Sequence, residues 1–191
     1  MTMTELAVAC RSYRRFTQQE VPQELLAMMV ENARISNSAM NAQPLRYVIV
    51  RDPALVAEMQ PFVHWAAKLP KEIGTPKKGE QPTAFIVLCI AGRGNGYADI
   101  DAGIAARTIT LTACEGGVGS CIMTNVEFPK VQTLLELPED WHPRLLISLG
   151  YPDHASVVVP VPASGDTGYY INEDRDYFVP KRSESEVELW K

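Results

Sequence analysis

The longest apolar run of the chain, from Ala84 to Ala91, constrains its fold most strongly. Eight residues are too few for a membrane-spanning helix, which needs about 18 apolar residues, so the run predicts a buried β-strand. The neighbouring sequences support these bounds for the strand. Residues 70–82 are rich in Pro and Gly, and Gly92 to Gly96 form a typical turn sequence. We expect 70–82 to be a mobile surface loop.

The other predicted elements mix helices and strands without a regular order. Amphipathic spacing predicts a helix from Pro22 to about Ile35, and the longest helix is predicted from Tyr97 to Glu115. Because strict βαβ alternation is absent, we predict an α+β domain with layers of helix and sheet rather than a doubly wound sheet. Further strands are predicted over 46–50, 120–123 and 144–149, and further helices over 4–10, 54–69 with a break at Pro61, and 129–137.

Length and composition predict one domain. The 191 residues are 46% hydrophobic and 21% charged, which suits a single domain with a sizeable core. We therefore assign 1–191 to one domain. From Asp153 onward the pattern loosens, and we expect 153–191 to be an extended C-terminal arm rather than a second domain.

Charge and cysteine usage argue against several classes of function. The formal net charge of −5 disfavours nucleic-acid binding, which needs a basic surface. The four cysteines form no CxxC pair and only three histidines are present, so we expect no metal site. The first residues show neither a basic lead nor a long apolar run, so we expect no secretory leader, no membrane association and a cytoplasmic location with reduced thiols.

Two short polar blocks flank the amphipathic helix. The first block, Cys10-Arg11-Ser12-Tyr13-Arg14-Arg15-Phe16, concentrates arginines, whose charged forks suit phosphate oxygens. The second block, Ser38-Ala39-Met40-Asn41-Ala42-Gln43-Pro44, offers hydroxyl and amide groups that donate and accept hydrogen bonds. Taken alone, the first block is also compatible with a solvated helix end, and the second with a helix cap and turn. Their order, with a strand after the second, is far more specific than either.

The two blocks resemble the opening of the nitroreductase family, whose members typically read Arg-Arg-Ser-x-Arg-x-Phe, then Val-Pro at a helix start, then Pro-Ser-x-x-Asn-x-Gln-Pro-Trp. Later landmarks of the family are similar to short segments that span nearly the whole chain: Asp101-Ala102-Gly103, Gly117-Val118-Gly119, Leu137-Pro138-Glu139, Leu149-Gly150-Tyr151-Pro152 and Lys181-Arg182. The resemblance implies a layered α+β fold with a central, mostly antiparallel sheet flanked by helices. It also implies a homodimer in which the C-terminal arm is exchanged.

The resemblance implies a site for flavin mononucleotide (FMN) that two subunits share. Arg14 is assigned to the pyrimidine edge of the ring, near N1 and O2, and the backbone at Met123 and Thr124 to the surroundings of N5 and O4. The phosphate is assigned to basic and hydroxyl side chains: Arg11, Ser12, Lys181 and Arg182. The ribityl chain and ring are further assigned to the second block of the other subunit: Ser38, Asn41 and Gln43.

Three positions depart from the family pattern. Cys10 stands where the family often has its first Arg, Asn37 replaces the usual Pro, and Leu45 replaces the usual Trp. These changes affect how tightly the cofactor is expected to bind and the expected shape of its pocket.

The helix 97–115 carries small residues that permit close packing of a neighbouring helix. Because the implied site needs two subunits, we interpret this small-residue face as a surface for the partner. It consists of Ala102, Gly103, Ala105 and Ala106.

The resemblance implies an FMN-dependent oxidoreductase. NADH or NADPH would give hydride to flavin N5, and an electron-poor small molecule, such as a nitroaromatic or a quinone, would then take it at the same ring face. The flavin supplies the chemistry in such enzymes, and we expect no essential acid–base pair from the protein. Two alternatives stay open: a flavin-dependent dehalogenase or flavin-fragmenting relative with a lid within 62–82, and a protein that stores or binds flavin without catalysis.

Overall fold

A four-stranded antiparallel sheet forms the centre of the fold. The computed structural model describes residues 1–191, and the strands of this sheet have the spatial order β1-β2-β4-β3. Their bounds are β1 (Leu45–Val50), β2 (Ala84–Ala91), β3 (Gly119–Met123) and β4 (Trp141–Gly150). Every neighbouring pair is antiparallel. The predicted α+β class with a mostly antiparallel central sheet is therefore confirmed.

Helices lie around the central sheet. The α-helices are α1 (Met3–Ala9), α2 (Gln23–Arg34), α3 (Pro53–Met59), α4 (Lys71–Gly74), α5 (Ala98–Glu115), α6 (Phe128–Leu134) and α7 (Glu184–Val187), and single 3₁₀ turns occur at Ala39–Asn41 and Gln60–Phe62. No helix combines the length and the apolar character that crossing a membrane requires.

Strand β2 is buried on both faces, which explains its uninterrupted apolar sequence. Successive side chains of a strand point to opposite faces. Phe85, Val87 and Cys89 belong to one core, together with residues of α3 and α6. Ile86 and Leu88 belong to a second core, together with residues of α2 and α5. The apolar run thus packs against helices on both faces of the sheet.

The small residues of α5 pack within the chain, so their interpretation as a partner surface is wrong for three of them. Ala102, Ala105 and Ala106 are only 1–2% exposed, and the last two share a core with α2. Their lack of bulk lets α2 approach α5 closely. The opposite side of α5 is open instead, with Ile100 58% exposed and Ile104 38% exposed.

The segment before β2 differs from its prediction. The helix predicted over 54–69 ends at Met59, and the 3₁₀ turn Gln60–Phe62 contains Pro61, which cannot donate a helical hydrogen bond. Beyond it, Val63 forms a bridge to Val126, and Trp65 is buried. Contacts with distant parts of the chain therefore hold this segment in a non-helical conformation. The predicted loop 70–82 also contains the short helix α4.

The C-terminal region, predicted as an extended arm, contains a second sheet. Its strands are β5 (Ser156–Pro160), β6 (Tyr170–Ile171) and β7 (Tyr177–Lys181), in the order β5-β7-β6. The buried Arg15 fixes this region to the body of the same chain, because its guanidinium donates to the carbonyls of Asp153 at 3.1 Å and Arg175 at 3.0 Å. Arg175 in turn pairs with Glu80 at 2.6 Å. Exchange of the segment between subunits stays a prediction.

Candidate functional site

A cavity of about 280 Å³, here called the first cavity, lies beside the first polar block. Segments distant in sequence line it: the block itself, α5, β3 and the C-terminal sheet. Four cationic side chains lie in its wall, and no carboxylate does: Arg11, Arg14, Arg107 and Lys181. This charge suits an anionic ligand.

The first block lies against β3 as a short added strand. Ser12 forms a parallel bridge with Ser120, and the Tyr13 N–H donates to the Ser120 carbonyl at 2.9 Å. Phe16, which is fully buried, anchors the end of the block in the core. Backbone pairing therefore fixes the main-chain positions from which the side chains of Arg11 and Arg14 extend.

Two glycines of the sheet allow this close approach. A Cβ atom at Gly119 would lie 2.9 Å from the Tyr13 ring, and one at Gly150 would lie 2.9 Å from Phe16 Cβ. Real Cβ contacts are longer, so a side chain at either position would push the block off the sheet. Both glycines belong to the short landmarks that the sequence shares with the family.

Arg11 has one buried donor that the chain leaves unpaired. Its Nη2 donates to the Ala7 carbonyl near the end of α1, whereas its Nε is buried without a hydrogen-bond partner. A buried unpaired donor costs about 1–3 kcal/mol. Arg11 also lies in the wall of the first cavity, where its positive charge favours an anion.

Arg14 is held between two aromatic rings. Its guanidinium carbon lies 4.6 Å from the ring centroid of Tyr169 and 4.9 Å from that of Tyr177, which is within the range of a cation–π interaction. Tyr169 also lines the first cavity. The C-terminal sheet thus sets the direction of this side chain.

His154 supports the backbone of Arg14. Its Nε2 accepts from the Arg14 N–H at 3.0 Å, and its Nδ1 lies 2.8 Å from the Ala155 carbonyl, to which it donates in the matching tautomer. Burial lowers the pKa of His154, and the positive charges of Arg15 and Arg14 act in the same direction. The bond from Arg14 needs an unprotonated Nε2 and therefore the neutral ring, whereas the bond to Ala155 forms with either charge state and acts in the opposite direction on the pKa.

The second polar block lies at a separate, smaller cavity of about 120 Å³. The buried Asp101 of α5 organises this loop, because its carboxylate accepts from Ser38 Oγ at 2.6 Å and from the Ala39 N–H at 3.0 Å. Ser38 Oγ accepts in turn from the Gln43 N–H at 2.9 Å. A chain of hydrogen bonds thus closes the loop onto the helix.

The backbone of this loop is strained. Met40, Asn41 and Gln43 have φ values of 55°, 52° and 49°, a left-handed conformation that non-glycine residues rarely adopt. Such strain persists only where surrounding contacts impose it. The Asp101 carboxylate supplies those contacts.

One chain brings together only part of the predicted site. Arg11, Ser12, Arg14 and Lys181 meet at the first cavity, and Met123 and Thr124 follow Ile122 of its wall at the end of β3. The second block is elsewhere, with Ser38 and Gln43 at the smaller cavity and Asn41 on the exposed loop beside it. Arg182 lines a different crevice and pairs with Glu186 at 3.2 Å.

Several residues contribute to the two cavities although the sequence did not predict them as site residues. They include Asp101, Arg107, Thr110 and Tyr169. A usable signal existed for two of them, because a carboxylate and a guanidinium stand out in a helix that is otherwise largely apolar. Thr110 and Tyr169 carry no pattern that indicates a site.

Substituting Asp101 tests its control of the second loop. Asp101→Asn keeps the size of the side chain but loses the charged acceptor, and we expect a loss of about 1.5–3 kcal/mol in the free energy of unfolding. Hydrogen exchange at the Ala39 and Gln43 amides should accelerate. Asp99→Asn is the matched control on the same helix, since Asp99 is exposed and pairs with Arg144. Equal exchange rates in the two variants would contradict this role.

His154 predicts a loss of stability in acid. The folded pKa lies below the ordinary value of about 6.5, so the unfolded state takes up a proton first as the pH falls. The stabilising contribution is complete above about pH 6.5 and is lost as the pH falls through the folded pKa. Urea unfolding should show a shallower acid limb in His154→Gln than in the wild type, and an unchanged limb in the exposed control His142→Gln. An identical limb in all three proteins would sink the idea.

Comparison with known proteins shows which family the chain resembles. A family model described as the nitroreductase family matches residues 8–151. An NADH dehydrogenase of Thermus thermophilus is 28% identical over 176 residues, which are 76% of this chain and 84% of the relative. An iodotyrosine deiodinase of Thermotoga neapolitana is 24% identical over 163 residues, which are 78% of this chain and 88% of the relative.

A solved structure shows the same fold. The FMN-dependent nitroreductase of Clostridium difficile R20291 superposes with a TM-score of 0.66 at 23% identity, covering 81% of this chain and 90% of its own. The family model covers about three quarters of the sequence, from the end of α1 to just beyond β4. On these matches, the chain belongs to the nitroreductase family.

Proposed function

We propose that this protein is an FMN-dependent oxidoreductase that takes electrons from NADH or NADPH and delivers them to an electron-poor small molecule, such as a nitroaromatic or a quinone. The observation that carries the proposal is the first cavity, which gathers four cations without a carboxylate. The named activities of the Thermus and Clostridium relatives support the reaction class and the cofactor. When bound, FMN supplies hydride transfer at its N5 atom.

The donors of the first cavity fit the phosphate of FMN. Arg11 adds a guanidinium in the cavity wall, the exposed Ser12 adds a compact hydroxyl donor, and Lys181 adds a positive charge from β7. Each hydrogen bond to a charged group contributes about 1.5–3 kcal/mol. We assign Arg182 a secondary part, since it reaches the phosphate only by leaving Glu186.

We assign Arg14 to the ring of the flavin. Tyr169 and Tyr177 hold its guanidinium beside the cavity, where it would stabilise the negative charge that develops on the pyrimidine edge during reduction. His154 fixes the backbone of Arg14 and is itself tied to Ala155. The described lining contains no carboxylate or histidine, so these residues bind and orient rather than move protons.

We propose that a second copy of the chain completes the site. The first cavity is at the lower edge of the range of about 300–1,000 Å³ for ligand pockets, and the second block lies at a different cavity of the same chain. The open side of α5, with Ile100 and Ile104, offers an apolar surface for the partner. Light scattering that returned only a 21.2 kDa monomer holding flavin would contradict this arrangement.

A second candidate is reductive dehalogenation of an aromatic substrate. The similarity to the iodotyrosine deiodinase of Thermotoga neapolitana favours it. This alternative places a lid within 62–82, a segment that the buried Val63 and Trp65 anchor and that carries the short helix α4. A panel of halophenols, nitroaromatics and quinones, each tested with reduced enzyme, would separate the two activities.

Anaerobic reduction tests the primary proposal. The purified protein, or the protein incubated with FMN, should show flavin absorbance that bleaches within seconds of adding NADH or NADPH. Addition of a quinone or a nitroaromatic should restore the colour. Bound flavin that stays oxidised with both donors would favour storage, and protein that stays colourless after incubation with FMN would remove the proposal.

Substitution of Arg14 tests its effect on the ring. Arg14→Ala should lower the reduction potential of the bound flavin by about 30 mV, which is about 1.4 kcal/mol for a two-electron couple. Hydride uptake should slow by about tenfold. Arg14→Lys is the matched control and should keep most of the potential, because it keeps the charge. An unchanged potential in Arg14→Ala would place Arg14 away from the ring.

A further inference from the structure

We infer that Arg107 is a phosphate ligand of the first cavity, reaching it from the middle of helix α5. The inference rests on the proposed function, since the phosphate is that of FMN. Arg107 lines the cavity together with Arg11 and Lys181. Arg107 lies outside both polar blocks and far from the two C-terminal basic residues in sequence.

Arg107 differs from the arginines that pair with acids in this chain. Five other arginines lie within 4 Å of a carboxylate oxygen: Arg34, Arg51, Arg144, Arg175 and Arg182. The guanidinium of Arg107 has one polar contact within the chain, from Nη1 to Cys10 Sγ at 3.1 Å. Sulfur is a weak acceptor, so most of the donors of this side chain are free for a ligand.

Cys10 gives Arg107 its direction. The Cys10 thiol donates to the Thr110 carbonyl at 3.3 Å, and its sulfur accepts from Arg107. Cys10 is the sequence neighbour of Arg11, and Cys10, Arg11 and Arg107 all line the first cavity. Thr110, one turn after Arg107, lines the first cavity as well.

The charge of the phosphate explains why this many cations converge. Arg14 is engaged by Tyr169 and Tyr177, which leaves Arg11, Arg107 and Lys181 for a dianion. Mutual repulsion of cations around one small cavity is unfavourable unless an anion lies between them. Arg107 is solvent-exposed in the single chain, so a phosphate reaches it without rearrangement of the helix.

The test compares FMN with riboflavin, which has the same ring and ribityl chain without the phosphate. Apoprotein is titrated with each flavin by fluorescence quenching. Loss of one charged donor should weaken FMN binding in Arg107→Ala by roughly tenfold or more, with the dissociation constant of riboflavin unchanged. The FMN affinity should also become less sensitive to salt, because one ion pair is lost.

Two variants serve as controls. Arg93→Ala removes an exposed arginine of the turn after β2 and should leave both affinities unchanged. Arg107→Lys keeps the charge and should recover part of the FMN affinity. Thermal unfolding of each apoprotein reports whether the fold is retained.

The outcomes separate the two proposals. Equal weakening of FMN and riboflavin in Arg107→Ala, or no change in FMN affinity and in its salt dependence, would overturn the inference and leave the proposed function standing. Failure of the wild-type protein to bind FMN at all would overturn both. A preference for FMN over riboflavin that falls only in the Arg107 variants would support it.

Discussion

The pairing of the first polar block with β3 is the constraint on which the site depends. Tyr13 donates to Ser120, and the fully buried Phe16 holds the end of the block in the core. The approach is possible because Gly119 and Gly150 present no side chain. Arg11 and Arg14 start from this fixed backbone, and α5 and the C-terminal sheet supply the other walls of the first cavity.

Local sequence predicted the parts of the fold whose burial is complete. Strand β2 was located residue by residue, because a run buried on both faces needs no alternation to be recognised. The helix predicted beyond Pro61 does not form, because Val63 and Trp65 are held by contacts with distant segments. The faces of α5 were also misread, because a stripe of small residues fits a helix of the same chain as well as one of a partner. Only tertiary packing distinguishes the two.

The site residues likewise fall into those that the sequence predicted and those that only the fold brings together. The resemblance of the first block to the family pattern indicated Arg11, Ser12 and Arg14, and the structure brings all three to one cavity. Arg107 and Tyr169 join them from segments about 90 and 150 residues away in sequence, and no local pattern encodes that meeting. The departure at Cys10 gains a meaning only in three dimensions, where its sulfur contacts a guanidinium from α5.

The concentration of positive charge at the first cavity also affects the energetics of the whole molecule. The chain is acidic overall, yet four like charges are crowded around one small space, and their repulsion opposes folding until a counter-ion is present. A dianionic ligand would then behave as a structural component whose supply sets how much folded protein persists. Removal of that ligand would then raise the fraction of unfolded chain that proteases can cleave.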